Sequence, residues 1–231
     1  MRCVVLNLGT KEYLEALDIQ RRLVELRRAG ECDDLLLLLE HPPVITIGRS
    51  GGLDHILISY DDLARQGVQI VETNRGGNIT YHGPGQLVGY PILSLENLRK
   101  DAHWYLRSLE SVLMETVKRF GIPGERTKGR TGVWVNGEKI ASIGVAIRHW
   151  VTMHGFALNI APDLRHFDWI NPCGYDDAVM TSFAKLRSAE EAELPQYEDV
   201  KANVVREVIQ QFGAQFDRRM VEGKWGELSN V

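Results

Sequence analysis

Asn136-Gly137 stands between two strand-like runs, Val133 to Val135 and Glu138 to Ile140, and this dipeptide strongly dictates a tight β-hairpin. An antiparallel sheet is therefore expected. If the second strand runs without a bulge, Lys139, Ala141, Ile143, Val145 and Ile147 share one face, and Ile140, Ser142, Gly144, Ala146 and Arg148 share the other. Lys139 then heads an apolar row, where lost hydration disfavours its charged form and lowers its pKa. Such a lysine can act as a base, although strand ends also carry lysines that merely snorkel to solvent.

The rest of the chain alternates helical and strand patterns. Arg2 to Leu8 reads as a strand, and Lys11 to Arg28 as an amphipathic helix whose apolar stripe is Leu14, Leu17, Ile19, Leu23 and Leu26. Asp34 to Leu39 and Val44 to Ile47 read as buried strands, Tyr60 to Gln66 as a short helix, and Val68 to Glu72 and Gln86 to Leu93 as further strands. His103 to Phe120 is a helix stopped by Gly121 and Pro123. The expected class is α/β.

Composition narrows the function. With 27 Lys plus Arg against 31 Asp plus Glu and a net charge of -4, the chain offers no global attraction for nucleic acid. Cys3, Cys32 and Cys173 are an odd set without CxxC spacing, which fits reduced thiols in a cytoplasm better than a disulfide framework or a zinc site. Met1 to Leu8 is too short and too weakly basic to read as a secretory signal, and Leu35 to Leu39 falls far short of the roughly 20 residues of a membrane span. The seven histidines are scattered without an HExxH pair, so no metal is expected.

Three segments carry candidate chemistry. Cys173 sits in Asn171, Pro172, Cys173, Gly174, Tyr175, where proline restricts the backbone and glycine opens main-chain N–H groups to a substrate carbonyl. Presented there, a thiol can be a nucleophile; a small buried cysteine near a turn is the plainer alternative. Arg75, Gly76, Gly77, Asn78, Ile79, Thr80, Tyr81, His82, Gly83, Pro84, Gly85 and Gln86 pack four glycines around polar side chains. Backbone and ligand can approach closely there, with Arg75 and His82 able to bind a carbonyl, phosphate or carboxylate. It is neither a Walker loop nor a dinucleotide fingerprint. His154, Gly155, Phe156, Ala157, Leu158 and Asn159 begin a strand whose small residues leave space suited to an acyl chain, or mark a close crossing of strands.

Together with Leu87 to Pro91, Lys139 to Gly144, Ile170 to Tyr175 and Met180 to Ser182, these segments resemble the octanoyltransferase, or lipoyl(octanoyl) transferase, family within the biotin and lipoate protein ligase group. The resemblance spans roughly Met1 to Phe212. It implies a single catalytic domain over 1–214, with a mixed sheet curved around the active-site pocket and flanking helices, and leaves a tail of unknown role over 215–231. It further implies that Cys173 is the acyl-thioester nucleophile and Lys139 its partner. The substrate pocket would be Arg75, Gly76, Gly77, Asn78, Ile79, Thr80, Tyr81 and His82 with Ser142, Ile143, Gly144, Gly155, Phe156 and Ala157. Octanoyl-acyl carrier protein is the implied donor. Lipoyl domains of 2-oxoacid dehydrogenase complexes and the glycine cleavage H protein are the implied acceptors, and no cofactor is required. An acidic carrier would need a local basic patch, for which Arg126, Lys128, Arg130, Arg148 and His149 are candidates.

Overall fold

The five leucines Leu35 to Leu39 are all buried, which a strand achieves only inside a sheet covered on both faces. In the computed structural model, which describes residues 1–171, 179–188 and 196–228, that run is the second strand of a large mixed sheet. Numbered in chain order, its strands are β1 (Arg2–Thr10), β2 (Asp34–Glu40), β6 (Gln86–Ile92), β7 (Glu125–Thr127), β8 (Arg130–Val135), β9 (Glu138–Arg148), β10 (Val151–Asn159) and β11 (Arg219–Glu222). Their spatial order is β11-β1-β2-β6-β10-β9-β8-β7. The β11, β1 and β2 strands are parallel, and every later pairing is antiparallel.

Leucine alternation along β2 shows how the faces are filled. Leu35, Leu37 and Leu39 pack with α1 (Tyr13–Ala29), whereas Leu36 and Leu38 join a core with α3 (Ala102–Lys118) and α5 (Tyr197–Phe216). The α1 stripe departs from expectation at one position: Leu14 is 54% exposed, while Gln20 is fully buried. Gln20 is kept inside because its Oε1 accepts from the His154 backbone N–H at 2.7 Å, satisfying a group that would otherwise be orphaned.

A smaller sheet, β4 (Gln69–Glu72), β3 (Val44–Ile47) and β5 (Ile79–His82), has its own apolar cluster with Leu63 of α2 (Tyr60–Arg65) and Phe167. Residues beyond 214 finish α5 and then supply β11, which pairs with β1 in the register Arg2 to Arg219. Arg218 Nε donates to Asp34 Oδ2 at 2.8 Å, and Arg27 Nε donates to Asp34 Oδ1 at 2.7 Å. The residue leading into β11 is thus tied by a buried ion-pair triad to the start of β2. Among the described residues no helix is long and apolar enough to cross a membrane.

Candidate active site

The Asn136-Gly137 hairpin forms between β8 and β9, but with a bulge. Trp134 pairs with Lys139 and Val133 with Ala141, so two residues of β9 face one step of β8. Ile140 and Ala141 both enter the core beneath α3 and α5. Lys139 therefore does not head the Ala141 to Ile147 row; the bulge turns it into a cavity beside Trp134, with its Nζ 5.4 Å from the indole ring centroid. It is buried all the same, at 6% exposure.

Two neighbours hold the lysine there. A Cβ added at Gly132, whose φ is +129°, would lie 2.5 Å from the Ala141 carbonyl oxygen and 2.7 Å from Lys139 Cε, so no side chain can stand against the lysine stem. On the other edge, the strap Val179 to Thr181 runs parallel to the start of β9. Lys139 N–H donates to Val179 O at 2.8 Å, and Thr181 N–H donates to Lys139 O at 3.0 Å.

The cavity holds about 560 Å³, within the roughly 300–1,000 Å³ of small-molecule sites. It collects the expected Arg75, Gly76, Gly77, Asn78, Ile79, Thr80, His82, Ser142, Ile143, Gly144, Gly155, Phe156 and Ala157. Tyr81 is not among them: its ring faces Phe167 and Trp169, and its hydroxyl pairs with His166 Nδ1 at 2.7 Å. Strand alternation sends it into the small sheet's core. Sequence reasoning did not single out Tyr13, Tyr90, Leu106, Trp134 or Met180 as lining. Met180 and Tyr90 lie in segments that carry the resemblance, and Trp134 flanks the hairpin, but Tyr13 and Leu106 lie in helices with no site signal of their own.

Small residues bring the walls together. A Cβ at Gly155 would sit 2.1 Å from the Gly89 carbonyl oxygen and 2.7 Å from Pro91 Cδ, so β6 and β10 can approach this closely only without a side chain. The glycine-rich loop is stitched to β9 by Gly76 N–H donating to Val145 O at 2.8 Å. Arg75 binds this frame too. Its Nε donates to Thr46 Oγ1 at 3.2 Å, one terminal nitrogen reaches Thr46 O at 2.5 Å, and the other reaches Gly76 O at 3.1 Å.

Three histidines lie in and behind the cavity wall. His41 donates from Nδ1 to Lys11 O at 2.7 Å and meets the Tyr90 hydroxyl through Nε2 at 2.7 Å. Burial pushes its pKa down to about 4. Burial, then the neighbouring His41, holds His82 down at about 3, and burial with the Arg75 charge holds His154 at about 3. All three imidazoles are uncharged near neutrality. None is a cation available to an anionic ligand.

Cys173, with Pro172, Gly174 and Tyr175, lies outside the described residues. The described flanks are anchored: Asn171 N–H donates to His55 O at 2.8 Å, and His55 Nε2 meets Asn78 Nδ2 at 3.2 Å, while Val179 is bonded to Lys139. The other two thiols are unsuited to catalysis. Cys3 is fully buried next to Asp34, and burial pushes its pKa far up; burial raises Cys32 to about 11. Neither lines the cavity. Among the described residues no group of three or more His, Cys, Asp or Glu could hold a metal ion. In the expected basic patch, Arg126 is engaged: its Nε donates to Glu110 Oε2 at 2.8 Å and its terminal nitrogen to Ser111 Oγ at 2.7 Å. Gly129, Arg130 and Thr131 lie on the cavity.

The mixed sheet with its flanking helices has the fold of the lipoate-protein ligases. Lipoate-protein ligase A bound with ATP superposes with a TM-score of 0.77 at 14% identity, over 97% of this chain and 89% of that one. A putative lipoate protein ligase from T. acidophilum gives 0.71 at 13% identity, over 97% and 89%. The family Lipoyl protein ligase A/B catalytic domain matches residues 12–209. Among curated relatives, the octanoyltransferase of Caldicellulosiruptor saccharolyticus is 47% identical over 94% of this chain and 91% of its own length. That of Solibacter usitatus is 50% identical over 80% and 83%. The chain belongs to the octanoyltransferase family and is an acyltransferase.

Proposed function

We propose that this acyltransferase takes octanoyl from octanoyl-acyl carrier protein, holds it as a thioester on Cys173, and passes it to a lysine of a lipoyl domain. The acceptors are the lipoyl domains of 2-oxoacid dehydrogenase complexes and the glycine cleavage H protein, in a cytoplasmic setting. The observation that carries the reading is Lys139, an amine buried at a cavity of small-molecule size in a chain about half identical to octanoyltransferases. The two remaining cysteines support Cys173 as the nucleophile by default, since burial suppresses both of their thiolates.

In the first half-reaction Lys139 takes the Cys173 proton and the thiolate attacks the carrier thioester; the new carbon–sulfur bond forms, the carrier's carbon–sulfur bond breaks, and the carrier thiolate leaves with the proton returned by Lys139. In the second, the lipoyl-domain lysine attacks the acyl-enzyme, Lys139 takes the amine's proton, and the Cys173 thiolate departs. Exchange of one thioester for another conserves acyl activation, so ATP is not consumed. The Ser142 to Gly144 and Gly155 to Ala157 segments would flank the acyl chain, and Arg75 would shape the loop above it.

The likeness to an ATP-bound ligase favours one rival, an ATP-dependent ligase acting through an acyl-adenylate. The two readings separate when a lipoyl domain is offered either octanoyl-carrier protein without ATP, or free octanoate with ATP, and its mass is followed. Octanoylation is expected only with the carrier. Modification only with octanoate and ATP would select the ligase.

A further inference from the structure

An unbroken hydrogen-bond chain joins the glycine-rich loop to the lysine strand, and its polarity can be read from one end. Asn159 Nδ2 donates to the Thr181 carbonyl at 3.0 Å, so Asn159 Oδ1 must face the other way. It receives Gln86 Nε2 at 2.9 Å, which leaves Gln86 Oε1 toward His82 Nδ1 at 2.7 Å. An amide oxygen can only accept, so His82 carries its proton on Nδ1 and presents a bare Nε2. The ring nitrogen lies 3.5 Å from Thr46 Oγ1, the longest link. Because Thr46 Oγ1 already accepts from Arg75 Nε at 3.2 Å and a terminal nitrogen at 3.0 Å, its own proton is directed to His82. Each carrier of a link is buried: Thr46 and Asn159 at no more than 1%, Gln86 at 2% and His82 at 7% exposure.

The far end of this chain is the strap bonded to Lys139. Thr181 accepts from Asn159 through its carbonyl and donates through its N–H to Lys139 O at 3.0 Å. The links come from four strands: Thr46 on β3, His82 on β5, Gln86 on β6 and Asn159 on β10. They therefore connect both sheets to the edge of β9.

We propose that Thr46, His82, Gln86 and Asn159 are positioning residues that hold the Met180–Thr181 strap against Lys139, with His82 serving as a fixed Nδ1–H donor rather than a substrate ligand or a base. Buried polar chains with every member satisfied are rigid, and a rigid support is what a catalytic amine needs to keep its place. The low proton affinity of His82 agrees with this, since a charged ring would have no acceptor for Nε2–H at Thr46 unless the Arg75 bonds were broken. The assignment of Lys139 as the amine in question rests on the octanoyl-transfer reading, whereas the restraint on the strap does not.

The test compares His82→Ala, Asn159→Ala and His82→Asn with the parent enzyme. An asparagine at 82 offers an amide N–H near the position of the imidazole Nδ1–H and has no titratable group. Both alanine variants are expected to lose about 10- to 100-fold in kcat for octanoyl transfer from carrier protein, with KM changed less than about threefold. His82→Asn is expected to recover most of that loss, with a pH–rate profile parallel to the parent's. Hydrogen–deuterium exchange should also quicken at the Thr181 amide in both alanine variants, a readout that is independent of what the enzyme transfers. Should His82→Ala fail to fold, Thr46→Val cuts the chain one link away and should give the same exchange result. His82→Asn as impaired as His82→Ala, with one limb of the pH profile lost, would make His82 an acid or base and overturn the proposal. Unchanged exchange at Thr181 would equally overturn it.

Discussion

Replacing Lys139 with methionine is expected to slow transfer of octanoyl to a lipoyl domain by about 10²- to 10⁴-fold, the usual contribution of a positioned acid or base. Methionine keeps an unbranched stem to fill the space between Gly132 and the Trp134 ring while deleting the amine. Fold stability should change far less than rate. The loss has a specific cause: an acceptor lysine has a pKa of about 10.4 and is almost entirely protonated near neutrality, so it needs a group to receive its proton before it can attack. Without Lys139 the solvent must supply free amine, and the residual rate should climb about tenfold per pH unit toward that value. Single-turnover transfer from preformed acyl-enzyme, measured between pH 6 and 9, reads both effects. A Lys139→Met rate equal to the parent's, with the same pH dependence, would remove the lysine from the mechanism.

The second large effect is loss of the fold in mild acid. His41, His82 and His154 are buried and held near 4, 3 and 3, whereas an unfolded histidine titrates near 6.5. As pH falls below 6.5 the unfolded chain takes up protons that the folded chain refuses, so the stability present above 6.5 drains away through the window down to about 4 to 3. Each such group costs about 1.4 kcal/mol per pH unit in that window, and three together cost about 4 kcal/mol per unit. Against a net stability of roughly 5–15 kcal/mol, the domain should approach unfolding near pH 5, above the range where carboxylates protonate. Urea unfolding at pH 7.5, 6.5, 5.5 and 5.0 measures the slope, and a flat stability across that range would contradict the burial of uncharged rings. His41→Gln, which removes one titrating ring, should flatten it by about a third.

Local signals carried much of this account, and long-range ones did not. The Asn136-Gly137 turn and the leucine run of β2 are legible because the first needs a particular backbone and the second needs a sheet covered on both sides. The direction of Lys139 was not legible, because one extra residue at Ile140 reverses the face on which the lysine emerges. The glycines at 132 and 155 likewise acquire meaning only from atoms far along the chain. By sequence Tyr81 reads with its loop neighbours as pocket lining, but alternation along β5 sends it the other way. Hidden most deeply was the Thr46 to Asn159 chain, whose members are scattered over more than a hundred residues and resemble ordinary polar strand ends. Residues after 214 gave no motif, since β11 is defined by parallel pairing with β1 rather than by any pattern of its own.

The most direct test of the central claim is an intact mass measurement after mixing the enzyme with octanoyl-carrier protein and no acceptor. One octanoyl adduct, released by hydroxylamine and absent from Cys173→Ser as a labile thioester, is the predicted result. A labile adduct of the same mass that persists in Cys173→Ser would place the acyl group elsewhere and contradict the account.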